Sequence, residues 1–195
     1  MPKIARLTTH AVDEKQIKQA VDYLKQGKVI AYPTEAVFGF GCDPFNQQAV
    51  EDLLKLKQRT MDKGLLLVAF NWEQIQDLIK GDCDNTMMAV RKTWPGHITW
   101  AFPATDKVPS WIKGAHDTIA IRLSAHPVVQ ALCKEYGGPI VSTSANIEGE
   151  KPIRNLQQLK KDFDKKVAMI VSGDLGKAKT PSKIQNAITG EIIRA

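Results

Sequence analysis

The run LLLVAF, residues 65–70, is apolar at every position, so a strand made from it has two faces to hide from water. A sheet covered by helices on both sides hides them, which points to an α/β chain. The flanking sequence supplies the alternation that such a fold needs. From Asp13 to Gln26, Ile17, Ala20, Val21 and Leu24 recur at helical spacing, and Gly27 follows as a stop. VIAYP (29–33) reads as a short buried strand closed by Pro33. AVEDLLKLK (49–57) is helical, with Val50, Leu53, Leu54 and Lys57 on one side. Helices are expected around Glu73–Ile79 and Thr86–Arg91, then strands in HITWAF (97–102) and TIAIRL (118–123). Only a polar loop with Pro109 and Gly114 separates those two strands, which predicts a mixed sheet rather than a purely parallel one. PVVQALCKEYG (127–137) is helical with a glycine stop, and PIVSTS (139–144) is a strand running into a polar loop. NLQQLKKDF (155–163) reads as a charged surface helix, VAMIVSG (167–173) as a strand, and the tail from Ile184 as two short strands around Thr189–Gly190.

A chain of 195 residues suits one well-cored domain, spanning residues 1–195. No apolar run is long enough to span a bilayer, and the first residues lack an apolar signal core, so a cytoplasmic protein is expected. Cys42, Cys83 and Cys133 are odd in number and form no C-x-x-C pair, which suits reduced thiols and no structural zinc. The net charge of +6 makes an anionic partner plausible, nucleotide or nucleic acid, but a solvated basic surface explains it equally well.

The motifs that are missing narrow the chemistry. There is no G-x-x-x-x-G-K-[ST] loop, GFGCDP is not a G-x-G-x-x-G fingerprint, and no G-x-S-x-G elbow occurs. His10, His97, His116 and His126 lack metal-ligand spacing, and no metal site is expected.

Four polar clusters stand at the edges of apolar strands. In YPTE, the Thr34 hydroxyl either holds a ligand or bonds its own turn, the commoner fate of a turn hydroxyl. In KLKQRTMDKG, Lys55, Lys57, Arg59 and Lys63 face the single acid Asp62. Lys57 and Arg59 can converge on one phosphate, or else complement a solvated helix end. Arg122 closes the strand TIAIRL and needs an anion, either a substrate carboxylate or a structural acid. Ser142, Thr143, Ser144 and Asn146 crowd the end of PIVSTSAN, where α/β sheets tend to bind ligands.

Taken in order, AYPTEAVFGFGCDP, KLKQRTMDKGLLLVA, WPGHIT, DTIAIR and VSTSANIEG resemble the YrdC-like family over nearly the whole chain. The resemblance implies a twisted mixed sheet flanked by helices around a deep basic cavity. It also implies synthesis of L-threonylcarbamoyl-adenylate from L-threonine, bicarbonate (or carbon dioxide) and ATP, with release of pyrophosphate. A TsaD-type transferase would then carry the threonylcarbamoyl group to tRNA, next to the anticodon. By position, Lys57, Arg59 and Lys63 match the nucleotide-binding basic motif, with Lys57 and Arg59 the expected catalytic pair. Thr118, Ser144, Asn146 and Arg194 match further ATP contacts, while Thr34, Arg122, Ser142 and Ser182 match threonine contacts. Magnesium is expected with the ATP phosphates.

The chain departs from the family pattern at five places. Thr60 stands where proline is common, Val68 where longer relatives carry a substrate-contacting histidine, and His97 where proline is frequent. Lys183 and Asn186 replace the Thr and Asp of the usual PSTVVD. Two other functions compete. A non-catalytic tRNA- or RNA-binding protein would use the same basic cavity, and a carbamoyl-adenylate enzyme would share the fold but act on carbamoyl phosphate.

Overall fold

The fold is described from a computed structural model of the chain, over residues 12–81 and 84–195. His10 and Cys83 lie outside those residues. Asp13 opens the first helix, α1 (Glu14–Lys25), by accepting from the backbone N–H groups of Lys15 and Gln16 at 3.0 and 3.3 Å. Gly27, at φ +72°, lies just past its end. Strand β1 (Ile30–Pro33) follows, and then β2 (Phe38–Gly41), which turns back antiparallel to it. Helix α2 (Gln47–Lys57) is capped by the Asn46 side chain and leads to β3 (Leu66–Ala69).

The expected helix over Glu73–Ile79 is instead a pair of 3₁₀ turns, Trp72–Gln74 and Gln76–Leu78. The residue between them, Ile75, sits at φ −125°, which breaks a helix, and Ile79 forms an extended bridge to Ala104. Beyond them come α3 (Asp84–Thr93), β4 (Ile98–Pro103), the single turn α4 (Ser110–Lys113) and β5 (Thr118–Leu123). The chain continues through α5 (Pro127–Tyr136), β6 (Ile140–Ser144), α6 (Leu156–Phe163) and β7 (Met169–Ile170). A hairpin of β8 (Lys183–Asn186) and β9 (Ile192–Arg194) completes it. The strand expected over residues 167–173 is thus only two residues long. It lies parallel to β1 at the edge of the sheet, and the chain then leaves to cross toward β8.

One sheet runs β7-β1-β2-β6-β3-β5-β4-β8-β9 among the described residues. It is mixed, as expected: β3 and β5 are parallel, whereas β4 and β5 are antiparallel. Leu67 and Ala69 face one apolar layer with Phe40, Leu53, Phe102 and Phe163. Leu66 and Val68 face the other way, toward α1 and α5, where Val21, Leu24, Val129 and Leu132 pack. The uniformly apolar LLLVAF is therefore explained by a cover on both faces.

Candidate active site

Strand β6 shows how one sheet face becomes a site. Its residues Ile140, Ser142 and Ser144 point the same way, because side chains alternate along a strand. Ile140 lies in the α1/α5 layer, but Ser142 and Ser144 line a cavity of about 560 Å³ that the helices leave open. The same face contributes Gly39 from β2, Ala101 from β4, and Thr118, Ala120 and Arg122 from β5. Small side chains in register (Gly39 opposite Ser144, Ala101 opposite Ala120) keep the floor low.

Cations ring this floor. Arg59, Lys63, Lys113, Arg122 and Arg194 all line the cavity, and no Asp or Glu does so among the described residues. Two carboxylates balance them from outside the lining. Glu148 bridges Arg59 at 3.2 Å and Lys63 at 3.0 Å, and the Lys63 hydrogen bond, followed by the charges of Lys63 and Arg59, holds its pKa low. Glu35 meets the Arg122 guanidinium at 3.3 Å. Burial alone would raise the Glu35 carboxyl, but Arg122 and the Ser124 hydroxyl outweigh it and hold its pKa below the ordinary value. Burial, then Arg122, then Arg59 depress Arg194, so three guanidiniums feel one another across the hollow. An anion that settles among them relieves that repulsion.

The backbone fixes the basic segment. Gly64 has φ +63°, and a Cβ there would stand 2.9 Å from Lys113 O, so the chain can lie against α4 only with glycine. Leu65 N donates to Ile112 O, Ala115 N donates to Asp62 O, and Arg59 donates to Gly64 O at 3.2 Å.

Lys57 does not take the place expected for it. It is 2% exposed and absent from the cavity lining. Its ammonium donates to Ser144 O at 2.5 Å, Asn146 O at 3.0 Å and Asn146 Oδ1 at 3.4 Å. Asn146 is likewise buried outside the lining, its amide donating to Ile147 O and Glu150 O. The expected convergence of Lys57 and Arg59 on one phosphate is corrected accordingly: Arg59 reaches the cavity, and Lys57 clamps the loop behind Ser144. The helix periodicity explains it, because Lys57 shares the buried side of α2 with Val50, Leu53 and Leu54.

The other predicted residues do come together. Lys63, Thr118, Ser144 and Arg194 line the cavity, as do Thr34, Arg122, Ser142 and Ser182. The Thr34 hydroxyl donates to Val37 O at 2.7 Å, so it is a turn hydroxyl, and to a ligand in the cavity it lines it can offer acceptor lone pairs only. Ser182 Oγ and Thr99 Oγ1 are 2.8 Å apart, which braces the far wall. Arg194 donates to Ser182 O at 2.8 Å. Val68 pairs in register with Arg122 but is buried in the α1/α5 layer and does not line the cavity. Lys183 and Asn186 are not lining residues, and Asn186 caps the β8–β9 turn through Ile188 N and Thr189 N. The sequence reading missed Glu35 and Glu148, the counter-ions, and the roles of His97, Lys113 and His116 as lining residues. The order of acids between strands offered no period by which to find them.

Residues 22–195 match the family model Sua5/YciO/YrdC, which carries the description "Telomere recombination". The chain belongs to the Sua5/YciO/YrdC family. The threonylcarbamoyl-AMP synthase of Coxiella burnetii (strain RSA 493) is 49% identical over 180 residues, covering 92% of this chain and 97% of that one. The crystal structure of P. abyssi Sua5 complexed with L-threonine superposes with a TM-score of 0.84 at 30% identity, over 89% of this chain and 51% of that one. The chain thus spans about half the length of that Sua5. E. coli YciO shares the fold, with a TM-score of 0.80 at 22% identity over 94% of this chain and 92% of that one.

Proposed function

We propose that the cavity joins L-threonine, bicarbonate (or carbon dioxide) and ATP into L-threonylcarbamoyl-adenylate and pyrophosphate, for threonylcarbamoyladenosine modification of tRNA next to the anticodon. One observation carries the reading: the hollow is lined by cations and hydroxyls with no lining acid among the described residues. Relatives named threonylcarbamoyl-AMP synthase and a Sua5 complexed with L-threonine support the choice of substrates.

The chemistry suits this lining. The threonine amine adds to carbon dioxide and loses a proton, forming an N–C bond and a carbamate anion. A carbamate oxygen then attacks the α-phosphorus of ATP, the bond to the β-phosphate oxygen breaks, and pyrophosphate leaves. Two anions must approach, so Arg59, Lys63 and Arg194 would offset their repulsion and the charge on the leaving group. Arg122 would hold the threonine carboxylate. Thr34, whose proton is committed to Val37 O, would accept from the threonine amine. Ser142 and Ser182 would complete that subsite, and Thr118 and Ser144 the nucleotide side. Lys57 and Asn146 would act from behind, by fixing the Ser144 loop. With no carboxylate in the lining, these residues make no magnesium site of their own among those described; magnesium would accompany the ATP phosphates. The product would pass to a TsaD-type transferase in the cytoplasm, and no helix of the described residues is long and apolar enough to cross a membrane.

Pyrophosphate release tests the reading. It is expected only when ATP, threonine and bicarbonate are present together. Release that ignores threonine, or that needs carbamoyl phosphate, overturns it. Salt-sensitive tRNA binding without any turnover would point instead to a binding module.

A further inference from the structure

Arg122 is gripped at both of its terminal nitrogens. One lies 3.3 Å from Glu35 Oε2, and the other lies 3.1 Å from His97 Nδ1. A guanidinium only donates, so Nδ1 is an acceptor and carries no proton. The other imidazole nitrogen, Nε2, lies 2.8 Å from Thr180 O, which only accepts, so Nε2 carries the proton. The partners therefore fix His97 as the neutral Nε2–H tautomer.

The placement has a physical logic. Glu35 already sets one negative charge against Arg122. A second carboxylate at the opposite nitrogen would cancel the attraction for an incoming anion and repel it, whereas a neutral acceptor fixes the guanidinium plane without quenching its charge. With both ends held, Arg122 keeps Nε–H buried and without a partner, in a side chain 7% exposed that lines the cavity. His97 also reaches the far wall of the cavity, because Thr180 directly precedes the lining residues Pro181 and Ser182.

We propose that His97 is a positioning residue, which aims Arg122 at the carboxylate of the amino-acid substrate and ties it to the wall segment that carries Ser182. The proposal rests on the threonine reading above. It assigns a role to a side chain at one of the positions where the chain departs from the family pattern.

Titration calorimetry with L-threonine, together with steady-state pyrophosphate release, separates this role from mere bulk. His97→Leu keeps much of the side-chain volume but offers no acceptor to Arg122. It should weaken threonine binding and raise KM for threonine about tenfold, leaving KM for ATP within about twofold. His97→Asn places its Oδ1 near the Nδ1 position and gives up only the Thr180 bond, so it should recover most of the loss. If His97→Leu binds threonine as the wild type does, or His97→Asn is as weak as His97→Leu, the positioning role is wrong. A wild-type protein that neither binds threonine nor releases pyrophosphate with it would remove the functional reading and this proposal with it.

Discussion

Lys57 and Arg59 are two residues apart, yet the fold gives them opposite duties. Lys57 lies on the buried side of α2, its ammonium enclosed by three oxygen acceptors of Ser144 and Asn146. Burial, with Arg59 adding to it, pulls its pKa down to about 8. Arg59 is three-quarters buried at its side chain but opens to the cavity. Replacing the two therefore separates stability from turnover. Lys57→Met keeps the apolar stem and removes all three donors, which should cost about 3 kcal/mol in urea unfolding, with activity falling as the Ser144 loop loosens. Arg59→Ala should cost less than about 1 kcal/mol and cut turnover at least about tenfold. A Lys57→Met protein that unfolds at the wild-type urea concentration would show that the clamp contributes nothing. The sequence held the information for Lys57, since its spacing from Val50 and Leu53 already put it among core residues. A cation in that row looked like the end of a solvated face, because its carbonyl partners come from a segment 87 residues away.

Among the elements, those legible in sequence are the ones whose signal is local. The Asp13 cap, the periodicity of α1 and α2, and the apolar runs of β3 and β6 all appear where expected. Strand β2 was not legible, because FGFG has two glycines, which weaken any strand reading. The need for them is tertiary. A Cβ at Gly41 would stand 2.6 Å from Val141 O and 2.7 Å from the Tyr32 ring, whose hydroxyl donates to that same carbonyl. The Glu73–Ile79 helix failed for a similar reason: Gln74 spends its side chain on Phe70 N and Cys133 O, so long-range bonds shape the segment. Gly41→Ala should thus force β2 away from β6 and destabilise the protein by about 2 kcal/mol, read as a lower urea midpoint. Since β2 carries Gly39 into the cavity floor, the same variant should weaken ligand binding. An unchanged midpoint would mean that the strands part at no cost.

Across the whole molecule, the groups that titrate above neutrality divide unevenly. Burial pushes the thiols of Cys133, to about 12, and Cys42 upward, and it raises the phenols of Tyr32 and Tyr136 as well. Unfolded, these groups lose their protons near their ordinary values, about 8.5 for a thiol and about 10 for a phenol. Above those values the folded state binds more protons than the unfolded one, so stability falls as pH rises. Lys57 works the other way. Its folded pKa of about 8 lies below the ordinary lysine value, so between the two the unfolded state holds the extra proton and stability rises. Among the described residues two thiols and two phenols oppose one lysine, and the sum should be a loss of several kcal/mol between about pH 9 and pH 11, each proton contributing at most about 1.4 kcal/mol per pH unit. Urea unfolding across that range measures the sum, and the Lys57→Met variant isolates the opposing part. Without the lysine the alkaline decline should be steeper, because nothing offsets the thiols below about pH 10. A decline no steeper than the wild type's would mean that Lys57 keeps its proton in the folded core, with its carbonyl cage outweighing burial.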